Sequence, residues 1–358
     1  MQVQFGSIFL KKRFPLAISR GVHAGRDNLF LSLTMQEITG YGEMSPGKNE
    51  GADTVEAAQA SLEHFLKEND IETLSVDEIY DLALAQNVPT CALAALDIAL
   101  WDWLAKRGGQ PLYRLLGIGK PTVPTSVTIG INPPEVVRER IPLLLEGTSI
   151  RSLKVKLGSP EGLEADQAMY AQVVESAKPY GVKLRVDANG GWDVAVAKQM
   201  MRWIADRDAD YIEQPLKEGD EVGLPELYAN RPLPIFIDES CRLADDVGKW
   251  AHCVDGVNMK LMKCGGVTGA LRIMAAAREH GLETMIGCMG ESSMSVSAAA
   301  ALSGLIDHVD LDSHLNLDPD PCKGARLVDG IVTPLPIPGH GASLKPEFAL
   351  QSENPIPR

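Results

Sequence analysis

The chain reads as an α/β protein built on a modified (β/α)8 TIM-type barrel, with an N-terminal α+β capping domain in front of it. Two observations carry that reading. Asp187, Glu213 and Asp238 each close a short apolar run (KLRVD, DADYIE, LPIFID), at intervals of 26 and 25 residues. Lysines keep the same beat: Lys154-Val155-Lys156 ends IRSLKVK, and Lys260 ends GVNMK 22 residues beyond Asp238. Apolar runs separated by helix-sized segments are what successive βα units of a parallel barrel produce, and barrels carry their functional groups at the C-terminal ends of the strands.

Residues 1–118 form the expected capping domain. VQFGSIFL, NLFLSLTM and ITGYGE alternate apolar residues as strands do, Gly40-Tyr41-Gly42 supplies turn chemistry, and ISRGVHAGRDN reads as a loop. DTVEAAQASLEHFLKEN has helical periodicity, with Asp53 or Thr54 as N-cap. After Pro89 a second helix sets Leu93, Leu96, Ala99, Leu100, Trp103 and Leu104 along one side, and Gly108-Gly109 ends it. Residues 119–320 carry the barrel, with strands expected near 123–130, 151–157, 182–187, 209–213, 233–238, 255–260, 283–288 and 306–312. The remainder, 321–358, is rich in proline and glycine and is expected to fold back on the capping domain.

At 358 residues the chain accommodates a barrel of ~250 residues and an accessory domain of ~100. Hydrophobic residues make up 45% and charged residues 23%, a globular and not a disordered composition. A net charge of −14 excludes roles that need a basic surface, so neither nucleic acid nor an anionic membrane is an expected partner. The six cysteines show no Cys-x-x-Cys pair and read as reduced packing residues. Lys11, Lys12 and Arg13 interrupt the apolar N-terminus too early for a signal peptide, and SVSAAAALSGLI is too short to span a bilayer. A cytoplasmic location follows as an expectation; homo-oligomerisation is left open.

Asp187, Glu213 and Asp238 are hard oxygen ligands with no histidine or cysteine among them, the donor set that suits Mg²⁺. Any one alone could cap a helix; three at consecutive strand ends converge. Lys156 and Lys260, on the second and sixth of eight strands, approach the barrel axis from opposite sides and are the candidate acid/base pair. Lys154 lies on the same face as Lys156. Lowering a lysine pKa far enough for base catalysis takes burial or a nearby like charge, which Lys154 and a metal would supply. Strand position favours Lys260 over Lys263 as the functional amine. Two lysines on opposite faces of a substrate describe 1,1-proton transfer at a carbon beside a carboxylate whose developing charge the metal stabilises. At the eighth strand Asp310-Leu311-Asp312 offers two carboxylates to a cation. Other barrel chemistries, a Schiff-base lysine or a glycosidase using Glu213 and Glu291, stay open as alternatives, as does a catalytically silent binding protein.

These residues resemble the muconate-lactonising subgroup of the enolase superfamily over nearly the whole chain. The resemblance rests on Gly40-Tyr41-Gly42-Glu43, ALDIALWDWLAKRGGQPLYRLLG, Lys154-Val155-Lys156, Asp187-Ala188-Asn189, Glu213-Gln214-Pro215, Asp238-Glu239-Ser240 and KLMKCGG, in this order and spacing. It implies that Lys154 assists the substrate carboxylate, that Glu239 lies near the metal, and that the aspartate pair resembles the α-ammonium site of dipeptide epimerases. The reacting centre would then be the α-carbon of a dipeptide's C-terminal residue. Arg20 aligns with an arginine that pairs with the substrate glutamate in L-Ala-D/L-Glu epimerases, which makes that dipeptide the first expectation. GCMGESSMS departs from that subgroup at Gly290 and Ser293. Muconate cycloisomerase and o-succinylbenzoate synthase are the alternatives within the family, disfavoured because a buried acidic pair would penalise substrates lacking an ammonium group.

Overall fold

A computed structural model describes residues 1–350. Three antiparallel strands open the chain: β1 (Gln2–Ile18), β2 (Gly21–Met35) and β3 (Ile38–Met44). The segment read as a loop is strand instead, since β1 and β2 continue to a tip at Ser19 and Arg20. Its glycines and charges conceal the alternation, because the tip reaches over polar ground and has no apolar face to bury. A register shift between Lys11 and Leu16 bulges the residues between them out of the ladder.

Gly40 and Gly42 do not make a turn. They lie inside β3, and the turn before them uses Gln36 and Glu37 at positive φ. Helices α1 (Val55–Glu68), α2 (Val76–Ala85) and α3 (Thr90–Arg107) follow. A Cβ on Gly40 would lie 2.0 Å from the carbonyl oxygen of Ala99, and one on Gly42 1.9 Å from that of Ala95, so the glycines let α3 sit directly on the sheet. Thr54 is the N-cap of α1, accepting from Ala57 N at 3.2 Å. The expected single apolar stripe of α3 is in fact burial on nearly every side, since the helix is packed between β3 and the barrel. After the short helix α4 (Leu112–Leu115) the chain enters the barrel.

There, β4 (Val127–Ile129), α5 (Pro134–Leu145), β5 (Ser152–Lys156), α6 (Leu163–Ala177), β6 (Lys183–Asp187), α7 (Val194–Ala205), β7 (Ala209–Glu213) and α8 (Leu224–Tyr228) alternate. β8 (Ile235–Ile237), α9 (Ala244–Trp250), β9 (Gly256–Lys260), α10 (Leu261–Cys264), α11 (Val267–Glu279), β10 (Glu283–Gly287), α12 (Ser293–Leu302) and β11 (His308–Asp310) complete the series. All eight strands β4 to β11 lie in one parallel sheet in sequence order, and a bridge between Thr125 and Val309 closes it. No α-helix follows β11 among the described residues; a 3-10 turn over Ser313–Asn316 takes its place. The tail as far as residue 350 returns to the N-terminal unit, where His340 N donates to Asp102 Oδ1 at 2.8 Å; the last eight residues of the expected 321–358 segment lie outside the described residues. No helix among the described residues is long and apolar enough to cross a membrane.

Strand register sets the levels inside the barrel. Lys156, Asp187 and Glu213 are cross-strand neighbours, and so are Lys260, Gly287 and Asp310 on the far side. Tyr211, Phe236 and Met285, respectively two residues before Glu213, Asp238 and Gly287 in the chain, pack together as a buried apolar cluster.

Candidate active site

The acidic side chains stand at or just past the ends of their strands; an amide fixes one oxygen each of Asp187 and Glu213, and a side-chain amide holds the backbone of Asp238. Asn189 N donates to Asp187 Oδ1 at 2.7 Å. Asn258 Nδ2 donates to Glu213 Oε1 at 2.8 Å, and Gln214 Oε1 accepts from Asp238 N at 2.8 Å. Asn189 and Gln214 hold positive φ, a conformation disfavoured outside glycine and asparagine; Asn189 thereby turns its N–H groups onto the Asp187 carboxylate, and Gln214 its side chain onto the backbone of Asp238 and Ser240. Asn258 was missed by the sequence reading, although its place two residues before Lys260 puts both on one face of β9.

Asp187, Glu213 and Asp238 are buried, and one oxygen from each lies within 4.8 Å of the others. Glu213 Oε2 and Asp238 Oδ1 accept no hydrogen bond, although ammonium groups lie 2.6 and 2.5 Å from them. Three convergent carboxylates, two of them with an oxygen that accepts no hydrogen bond, and no softer donor, fit a hard divalent cation such as Mg²⁺.

Four lysines surround this cluster. Lys156 Nζ lies 2.5 Å from Asp187 Oδ2, and Lys260 Nζ 2.6 Å from Asp238 Oδ2, both facing the cavity. Gly287 leaves room for the latter: a Cβ there would stand 3.1 Å from Lys260 Cε. Lys263 bonds the carbonyls of Asp238, Cys241 (3.0 Å) and Asn258 (2.8 Å), so its ammonium is saturated by backbone. Lys154 is sealed from solvent, 2.6 Å from both Glu213 and Asp310 and 3.7 Å from Asp187. It is therefore neither the free like charge expected beside Lys156 nor open to the cavity in this arrangement.

Charge compensation decides the protonation pattern. Burial drives Asp238 and Asp187 up, but Lys260 and Lys263 hold the first well below the carboxylate range, and Lys156 and Lys154 hold the second down. Glu213 rises to about 7 through burial and the neighbouring Asp187. Burial works against the charged form of Lys154 and Lys260, yet the acids around them raise both.

Two cavities meet over the cluster. The larger, about 480 Å³, lies beneath the β1–β2 tip and is lined by Ile18, Arg20, Arg26, Asp238 and Lys260 among others. The second, about 230 Å³, runs along the seam between β4 and β11, where Asp310 and Asp312 meet Phe14, Val127 and Leu144. Asp310 Oδ1 has no hydrogen-bond partner, while Asp312, two residues past the end of the strand, accepts from Thr128 N at 2.6 Å. Burial and the neighbouring Asp310 raise the Asp312 pKa.

Arg20 does not project freely into the larger cavity. Its guanidinium pairs with Glu239 at 2.7 Å and donates to the Asn189 carbonyl at 2.9 Å, where Ser19 Oγ also donates. These bonds latch the hairpin tip to the barrel mouth. Glu43, quoted above only for a resemblance, is fully buried and accepts from Asn28, Ser292 and Ser295, tying β3 to the β10–α12 loop.

The sequence matches the mandelate racemase/muconate lactonizing enzyme N-terminal domain over residues 7–117 and the enolase C-terminal domain-like family over 137–348. It is 61% identical to a hydrophobic dipeptide epimerase of Flavobacteria bacterium (strain MS024-2A), over 97% of this chain and 99% of that protein. Identity is 57% to a hydrophobic dipeptide epimerase of Roseobacter litoralis, over 96% and 99%. The fold superposes on an Enterococcus faecalis V583 dipeptide epimerase complexed with Mg and L-Leu-L-Tyr, with a TM-score of 0.88, 31% identity, and 96% and 99% of the two chains covered.

Proposed function

The chain belongs to the enolase superfamily, with the N- and C-terminal domains of its mandelate racemase/muconate lactonizing branch, and from that premise we propose that it is a Mg²⁺-dependent dipeptide epimerase acting on apolar dipeptides. The observation that carries the reading is the pair Lys156 and Lys260, set on opposite sides of a buried three-carboxylate cluster and open to one cavity. Asp187, Glu213 and Asp238 would hold the ion. A bound Mg²⁺ supplies electrostatic stabilisation of the charge that builds on the substrate carboxylate as its α-proton leaves. One lysine takes the α-proton of the C-terminal residue as the C–H bond breaks and an N–H bond forms. The other lysine, from the opposite face, returns a proton to the carbon. One proton is removed and one delivered, so the products differ from the substrate in configuration only.

Asp310 and Asp312 receive the N-terminal ammonium, which the unpartnered Asp310 Oδ1 favours. Lys154, held by Asp310 and Glu213, links the ammonium end to the metal end. Arg20 acts as the hairpin latch, not as a partner of a glutamate side chain. That assignment and the hydrophobic dipeptide epimerases at 61% and 57% identity support apolar substrates over L-Ala-D/L-Glu. The six free cysteines and the acidic charge favour a cytoplasmic protein with neither nucleic acid nor membrane as partner; a homo-oligomer is compatible with the reading. Incubating the protein with an L,L-dipeptide library and Mg²⁺ in D₂O tests it by mass spectrometry. Apolar dipeptides should gain one deuteron at the C-terminal α-carbon, and a library without any exchange would refute the proposal.

A further inference from the structure

Lys12 stands on β1 with its side chain only 9% exposed. Among the described residues its ammonium has neither a hydrogen-bond acceptor nor an ion-pair partner. The other buried lysines of the site are all paired. Withdrawing most of a cation from water is costly, so a largely buried lysine whose ammonium faces a cavity with no acceptor in contact, and only the more distant carboxylates of Asp312 and Glu291 acting on its charge, points to a partner that arrives with a ligand.

Its position narrows that partner. Lys12 is one of five residues that line both cavities, with Leu16, Lys156, Cys288 and Met289. Leu16 and Met289 are apolar, Lys156 is held by Asp187, and the Cys288 thiol donates to the Asp310 carbonyl at 3.3 Å. Lys12 is thus the free donor at the junction. On the epimerase reading, on which this inference rests, a dipeptide spans the junction with its carboxylate at the acidic cluster and its ammonium at Asp310 and Asp312. Of the groups on such a substrate, the ammonium is repelled by Lys12, the carboxylate is held elsewhere, the amide N–H is itself a donor, and apolar side chains offer nothing. The peptide carbonyl remains, and it must cross where Lys12 points. We propose that Lys12 donates a hydrogen bond to the peptide carbonyl oxygen of the bound dipeptide and so fixes the substrate's register between the two cavities.

A cycle between side chain and substrate tests this. Wild type, Lys12→Met and Lys12→Arg are compared on one apolar dipeptide and on its thioamide analogue, whose sulfur is a poor acceptor, with deuterium exchange and thermal stability recorded for each. Lys12→Met should raise KM for the amide about 10- to 100-fold, the span of a charge-assisted hydrogen bond. Its kcat should stay within about 3-fold, because the bond forms in ground and transition states alike. For the thioamide the same substitution should change KM less than about 3-fold, and Lys12→Arg should recover part of the amide loss. Equal losses on both substrates, or no loss on either, would overturn the assignment while leaving the epimerase reading intact, provided wild type exchanges the α-proton. If wild type exchanges no dipeptide, both fall.

Discussion

Replacing Arg20 with methionine separates two roles that one arginine could fill. Its side chain is 49% exposed, so its bond to Glu239 at 2.7 Å is screened by solvent and worth at most about 1 kcal/mol. A latch of that strength, lost, frees the hairpin tip and raises KM by roughly 5-fold at most, whatever the substrate's side chain. An arginine that instead paired with a substrate carboxylate would be desolvated by it, and losing it would cost about 2–5 kcal/mol, or roughly 30-fold and more, for acidic substrates alone. The assay is kcat/KM for L-Ala-L-Leu and L-Ala-L-Glu with wild type and Arg20→Met. The latch predicts parallel losses of a few-fold and an unchanged preference ratio. A collapse confined to L-Ala-L-Glu would refute the reasoning and restore the glutamate assignment.

Three further outcomes follow from the geometry. Asn258→Leu removes the donor to Glu213 Oε1 and should weaken Mg²⁺ binding by about 10- to 100-fold in a calorimetric titration; unchanged affinity would show that Asn258 does not orient that carboxylate. Chelation should abolish exchange, Mg²⁺ should restore it, and the ion should raise the melting temperature; full activity in chelator would remove the metal from the account. Asp97 is buried against Thr268, and burial lifts its pKa to about 7. The folded state therefore keeps a proton that the unfolded chain has lost, so stability is complete below about pH 4 as far as this group is concerned and falls by a few kcal/mol as pH rises to about 7. Asp97→Asn should flatten that part of the stability profile between pH 4 and 7, measured by urea unfolding; an unchanged slope would contradict the assignment.

How much the sequence disclosed depended on whether a residue's role could be seen from its neighbours. The acidic triad and the lysines were legible because strand ends recur at a regular interval and an ionisable group closing an apolar run is conspicuous. Asn258 sits inside such a run and is uncharged, so only its spacing from Lys260 could have singled it out. Gly40 and Gly42 resemble a turn locally, and their purpose becomes visible only once α3 lies on them. Lys12 belongs to a run of three cations that looks like ordinary surface charge, and its burial depends on the hairpin folding over the barrel. Arg20 was noticed, but its partner Glu239 lies more than two hundred residues away, beyond the reach of any local pattern.

The central claim is that two lysines act on opposite faces of one α-carbon. Lys156→Ala and Lys260→Ala, each incubated in D₂O with an apolar L,L-dipeptide and with its L,D diastereomer, test it by NMR. The account predicts that neither variant epimerises and that each still exchanges the α-proton of one diastereomer, the two variants choosing opposite ones. Normal epimerisation by either variant, or exchange of the same diastereomer by both, would contradict it.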